Sequence, residues 1–324
     1  MLSLQDFLIK FCRSESLCFF YYFCSFLVMN KNSKIWHWLA VALLSLIWGT
    51  SYILMKKGLR SFSAYQLASL RILISFLCLL PVALRSLPKF NKKNFLSILI
   101  IGFLGSGIPA FLYPLAETKI DSSLTGMLNS LSSVFTLVIG IVFYKRKAVR
   151  SQIAGVFLGF AGAAGLLYSG SLTFNYYGLF VVLATLMNGF SNNEVSKVEG
   201  LNGLEITSLS FFIVSPFALA LLLSTDIHSI FLTPHWFLNF GYIAILSVVG
   251  SAFANAIYYF LVRDTSPVIA SVVAYFIPIV ATLWGISDNE HLAPAMFISV
   301  LFILAGVYLI NRPGALRKIK KMLE

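Results

Sequence analysis

Charge is what this sequence has least of. Asp, Glu, Lys and Arg make up 11% of its 324 residues, against about 25% in an ordinary soluble domain. A chain so poor in charge cannot cover a water-facing surface, and one so apolar is not intrinsically disordered. Cysteine is nearly missing too. Cys12, Cys18, Cys24 and Cys78 form no CxxC pair and lie near or inside apolar stretches, so they read as buried spectators. His37, His228, His235 and His291 are scattered without ligand spacing, and no metal is expected. The Gly-Lys-Ser/Thr phosphate loop of a self-contained ATP-driven pump is absent, and no cofactor is expected.

What fills the chain is hydrocarbon: 59% of residues are apolar or aromatic. A bilayer core of about 30 Å takes roughly 20 helical residues per crossing, whereas a barrel strand would alternate over about ten. The runs here are continuous. They fall at about 36–55, 64–84, 95–116, 123–144, 152–169, 177–196, 204–223, 236–262, 267–287 and 294–311. The expected fold class is therefore an all-α membrane protein with ten transmembrane helices, whose first partner is the lipid bilayer. A net charge of +12 would suggest nucleic acid in a soluble protein. Here orientation explains it, and no nucleic acid is expected. With Lys31 placed inside, seventeen basic residues fall in inner segments. Only Lys56, Lys57, Arg60 and Lys119 fall outside, which is the positive-inside pattern with both termini cytoplasmic.

Residues 1–35 stand apart. Leu17 to Val28 is too short to span comfortably, and no small-x-small cleavage site follows it. With Met29 as a second initiator candidate, the first 28 residues read as a start-site extension or an interfacial segment.

The remainder is duplicated. Gly105-Ser106 aligns with Gly250-Ser251 at an offset of 145, which also places Tyr113 on Tyr258 and Gly140 on Gly285. An offset of 144 places Ala161-Gly162 on Ala305-Gly306, and one of 140 places Gly49 on Gly189 and Lys57 on Lys197. The units are 36–169 and 177–311, followed by a basic tail at 312–324. Five passes each is an odd number, so the two repeats are expected to be inverted, as in many secondary transporters.

Trp48-Gly49-Thr50-Ser51-Tyr52 with Lys57, then Leu70-Arg71, resemble elements of the EamA-type family in the drug/metabolite transporter superfamily. So do Ser266-Pro267-Val268-Ile269-Ala270-Ser271, Pro278-Ile279, Leu283-Trp284-Gly285, Glu290 and Leu304-Ala305-Gly306-Val307-Tyr308-Leu309. The resemblance covers about 36–311. It implies an inner-membrane carrier of small metabolites, often outward, around a cavity lined by helices 1, 3, 4, 6, 8 and 9. The family often has Trp at the position of Asn188 and Glu at that of Lys145. A proton is the candidate coupling ion, and amino-acid-like compounds are the candidate substrates. The competing readings are a membrane enzyme or flippase for lipid-linked substrates, and a scaffold without transport.

Arg71 is the leading candidate for the transport path. A guanidinium inside a membrane helix costs about 2.5–3.5 kcal/mol or more, and its repeat mate is Phe211. It reads either as a fixed cation for a carboxylate or phosphate, or as a residue snorkelling to the outer interface. Glu194 reads as a proton acceptor or as a partner of Lys197. Asn188, Asn192 and Asn193 bind substrate or hold helices together. Asn129 and Asn255 are expected to face the cavity, and Tyr113 and Tyr258 form a symmetric pair suited to a central site or to packing. Pro109, Pro114 and Pro278 mark gates or plain kinks. Gly155, Gly159, Gly162 and Gly165 form a packing stripe. Glu117, Asp121, Asp288 and Glu290 are expected to be solvated loop acids.

Overall fold

The computed structural model describes residues 34–168 and 175–311. The N-terminal extension, the tail at 312–324 and Cys12, Cys18 and Cys24 lie outside the described residues. Within them every regular element is helical. The ten segments are α1 (Lys34–Gly58), α2 (Ala64–Ser86), α3 (Lys92–Glu117), α4 (Ser122–Val142), α5 (Arg150–Tyr168), α6 (Gly178–Val195), α7 (Gly203–Leu223), α8 (Trp236–Asp264), α9 (Pro267–Ser287) and α10 (Pro294–Asn311). Among the described residues, nine are long and apolar enough to cross a membrane by length and composition. The remaining one is α6, in whose C-terminal half Asn188, Asn192, Asn193 and Glu194 offset the apolar first half.

Local chemistry sets the helix ends. Ser63 opens α2 with a capping box: its hydroxyl accepts from Gln66 N (3.3 Å), and Gln66 Oε1 accepts from Ser63 N (2.9 Å). Asn202 and Glu205 repeat the device at α7, with 2.9 and 2.8 Å bonds.

Four helices are interrupted, in matching pairs. α3 widens into a π-helical stretch at Ile101–Gly107 and α8 at Leu246–Phe253, and the 145-residue offset maps one start onto the other. α4 breaks between Leu128 and Leu131, and α9 between Ala270 and Val273. Interruptions free backbone carbonyls, and at membrane depth an unsatisfied one costs several kcal/mol. Side chains from neighbouring helices answer them: Ser133 Oγ donates to Ser271 O (2.6 Å), Ser45 Oγ to Val273 O (3.1 Å) and Trp48 Nε1 to Gly250 O (3.0 Å).

The packing is as paired as the breaks. α1 lies on α9 as α6 lies on α4, and α1 meets α8 as α6 meets α3. The pairs α2–α7 and α5–α10 are their own counterparts. Exchanging helices five places apart returns most of the main contacts. The glycine stripe has the expected packing role at α5–α10. A Cβ on Gly155 would overlap the Gly306 carbonyl, and one on Gly162 would overlap the Ser299 carbonyl, so the two backbones touch. Large apolar side chains such as Leu77, Phe157, Phe237 and Leu301 coat the outside, as lipid requires.

Candidate functional site

The interrupted helices converge on one cavity of about 120 Å³. Gly105 and Ser106 of the first π-stretch, Ser251 of the second, Asn129 and Ser132 at the α4 break, and Ser271 at the α9 break all line it. Arg71 stands seven residues into α2 and Phe211 eight into α7, about 10–12 Å from those helix ends at 1.5 Å per residue. The cavity therefore lies well inside the bundle.

Arg71 is half-buried on its wall. Its Nε donates to Ser251 Oγ at 2.6 Å, and its Nη1 approaches Met55 Sδ at 3.7 Å. Among the described residues no carboxylate forms a salt bridge with it. Opposite charge is what a desolvated guanidinium lacks most, so its free N–H groups make it the natural anchor for an anion. Beside it runs a polar chain: Asn188 Nδ2 donates to Tyr113 OH (3.0 Å), and Tyr113 OH donates to Asn129 Oδ1 (2.6 Å). Tyr52 meets the Tyr113 ring edge-on at 6.0 Å between centroids, and Trp48 lies 5.0 Å from Tyr258. Asn255 faces the cavity with no hydrogen bond among the described residues.

Of the residues singled out in the sequence, Arg71, Tyr113, Asn129, Asn188, Asn192, Asn255 and Tyr258 line this cavity. Asn192 lines it with its amide already donating to Thr136 Oγ1 (3.1 Å), while Asn193 donates to Thr136 O (2.9 Å) and Gly189 O (2.8 Å). These two tie α6 to α4. Glu194 is elsewhere: Tyr144 OH, Ser97 Oγ and Lys197 Nζ surround it at 2.5, 2.7 and 3.0 Å. Three donors occupy its carboxylate at the end of α6, away from the cavity. The lining also draws on α2 and α7, beyond the six helices that the resemblance implied. Sequence reasoning missed Tyr52, Ser132 and Tyr259. Tyr52 sits inside the quoted Trp48 motif, and Ser132 and Tyr259 had no distinguishing pattern.

Two of the four loop acids, Glu117 and Glu290, are shielded from solvent, contrary to expectation, while Asp121 and Asp288 stay partly exposed. The Glu290 side chain is fully shielded. It accepts from Lys56 Nζ (2.7 Å), Ser122 Oγ (2.6 Å), Ser122 N (3.0 Å) and Ser123 N (3.0 Å), so it caps the N-terminus of α4. Burial alone would raise its pKa. The bonds from Lys56, Ser122 and Ser123 outweigh burial and hold it at about 2. Lys56 also pairs with Asp288 at 2.9 Å, so α1, α4 and the α9–α10 turn are latched together. Glu117 is 7% exposed. At the opposite end, the positions one repeat offset away are Lys145, Pro267 and Val268. They line an open pocket of about 680 Å³ with Arg146, Lys147 and Arg263 and no carboxylate.

The family model described as EamA-like transporter family matches residues 34–168 and 175–312. This chain belongs to the EamA-like transporter family. Relatives within reach are transporters by name. An uncharacterized transporter of Archaeoglobus fulgidus is 24% identical over 288 residues, covering 85% of this chain and 98% of the relative. The inner membrane transporter YedA of Escherichia coli K12 is 26% identical over 286 residues, covering 83% and 91%. A solved crystal structure superposes on this EamA-like chain with a TM-score of 0.58 at 14% identity, covering 88% of this chain and 99% of the other. That likeness speaks to the fold. The protein is a multi-pass membrane transporter.

Proposed function

We propose that this EamA-like transporter is a secondary-active exporter of small carboxylate-bearing metabolites, amino-acid-like compounds among them, in an inner membrane, with a proton as coupling ion and both termini cytoplasmic. Its ten helices form two inverted five-helix repeats, 36–169 and 177–311, that rock about the central cavity. The exchange of packing partners between halves supports that symmetry. The observation that carries the substrate class is Arg71, a guanidinium without an acidic partner on the wall of a buried cavity. Around it stand the amides of Asn188 and Asn255 and the tyrosine hydroxyls, placed to read the rest of a small polar solute. A volume of about 120 Å³ suits such a solute or several waters and is too small for a lipid-linked substrate. The groups on the wall are binding groups, which favours carriage over catalysis.

The two ends differ as alternating access requires. The Lys56–Glu290–Ser122 latch closes the end assigned to the outside, and the basic pocket lies at the end assigned to the inside. Reconstituted liposomes loaded with a panel of labelled amino acids test the reading. Wild-type protein is expected to release at least one of them faster than protein-free liposomes, with release abolished by Arg71→Ala and retained in part by Arg71→Lys. Equal release in wild type and Arg71→Ala would remove the assignment.

A further inference from the structure

The cavity's cation has an acidic counterpart that the site does not use. Glu117 ends α3 one turn beyond Tyr113, on the same face. It is 7% exposed, and among the described residues neither carboxylate oxygen accepts a hydrogen bond. Nearby Glu290, by contrast, has a donor on both oxygens. A buried carboxylate without donors carries the full desolvation cost of its charge, and taking up a proton removes most of it. The repeat mate of Glu117 is Val262, which is buried too. Like Arg71, then, Glu117 is a charge-bearing residue placed in one half where the other half has hydrocarbon.

Its surroundings tie it to both the latch and the cavity. The charged and phenolic groups within electrostatic reach of it are Tyr52 and Lys56 from α1, Arg71 from α2 and Glu290 from the α9–α10 turn, with Tyr113 one turn away on its own helix. Asp288 and Asp121 complete the cluster through Lys56 and Glu290. Lys56 is also the cation that holds Glu290 in the latch.

We propose that Glu117 is the exchangeable proton site of this transporter and that its proton holds the Lys56–Glu290 latch closed. This rests on the carrier reading above and names its coupling group, in place of Glu194, whose carboxylate is already saturated by three donors. When the proton leaves, a second carboxylate competes with Glu290 for Lys56, α1 separates from the α9–α10 turn, and that end of the cavity opens. Protonation from that side restores the latch. Only one O–H bond forms and breaks: the proton arrives from water at the Lys56 end and leaves through the cavity to water once the opposite end is open.

Two measurements separate this inference from the carrier reading. In infrared difference spectra between acidic and alkaline buffer, the wild type is expected to show a buried carboxyl C=O band that shifts in heavy water. The band disappears in Glu117→Gln and persists, displaced, in Glu117→Asp. No labelled solute is involved, so the result stands even if transport of the panel fails. In liposomes carrying the labelled amino acid that wild type moves, Glu117→Gln is expected to lose all acceleration by a pH gradient while keeping gradient-free exchange. An identical band in wild type and Glu117→Gln, or undiminished pH-driven flux in that variant, overturns the proposal.

Discussion

At the scale of single residues, the decisive feature is how differently two buried charges are satisfied. Arg71 keeps donors free on the cavity wall, and Glu290 has none of its acceptors to spare. Removing Arg71 should therefore harm ligand binding more than folding. A hydrogen bond to a charged group is worth about 1.5–3 kcal/mol, so Arg71→Ala is expected to weaken binding of a transported carboxylate about 10–150-fold. Scintillation-proximity or calorimetric titration in detergent checks this, with the melting temperature as control. Glu290 should behave in the opposite way. Its folded pKa of about 2 lies below the usual 4.5, so its stabilisation is fully present above about pH 4.5 and is lost as pH falls towards 2. Thermal scans across that window should show the wild type approaching Glu290→Gln on acidification, the variant being less stable at neutral pH by about 1–3 kcal/mol. A constant difference at every pH would mean that Glu290 stays uncharged. The bonding of Glu290 was not legible in the sequence. Glu290 stands in a polar turn, and its donors Ser122 and Ser123 lie 168 and 167 positions away. Nothing local distinguishes it from a solvated acid, and the same blindness applied to Glu117. Arg71 was legible because a lone cation in an apolar run is costly wherever it points.

At the scale of elements, apolar continuity was enough to mark the nine helices that among the described residues are long and apolar enough to cross a membrane, because lipid makes hydrocarbon length the dominant constraint on each. It was not enough for α6, whose amides spend part of the helix on binding α4 and lining the cavity instead of facing lipid. The interruptions were half visible. The Gly105-Ser106 and Gly250-Ser251 pairs mark both π-stretches, yet the breaks at Asn129 and Ser271 carry no proline. The α5–α10 pair shows what small residues do when their helix has no polar task. Its backbones meet at Gly155 and Gly306, and neither position has room for a side chain. Gly306→Leu is expected to destabilise the bundle by about 1–3 kcal/mol or more through overpacking, read as a lower melting temperature in detergent. Gly241→Ala in α8, where a Cβ meets nothing within 4 Å, should be neutral or slightly stabilising. If both variants melt alike, the α5–α10 seam is not the close contact described.

At the scale of the whole molecule, near-symmetry matters most where it fails. On the proposed inverted-repeat reading, two halves with exchangeable packing adopt two related arrangements of similar energy, one the mirror of the other in access. Any residue that differs between halves biases that balance. Glu290 seals the N-terminal end of α4, whereas its repeat mate Lys145 leaves the corresponding end of α9 beside an open basic pocket. A water-soluble probe should therefore reach the cavity from one side only. With Cys12, Cys18, Cys24 and Cys78 replaced, Ser132→Cys on the cavity wall should react with a membrane-impermeant thiol reagent added on the side of Lys147. It should stay unreactive from the side of Lys119, cysteines at those two exposed lysines serving as the markers of each face. Loosening the latch with Glu290→Gln should make the same thiol reactive from the Lys119 side as well, because the two arrangements then become comparably populated. Reactivity from neither side in both proteins would describe a sealed bundle. Reactivity from both sides without the second substitution would describe an open pore, in which the latch has nothing to hold shut.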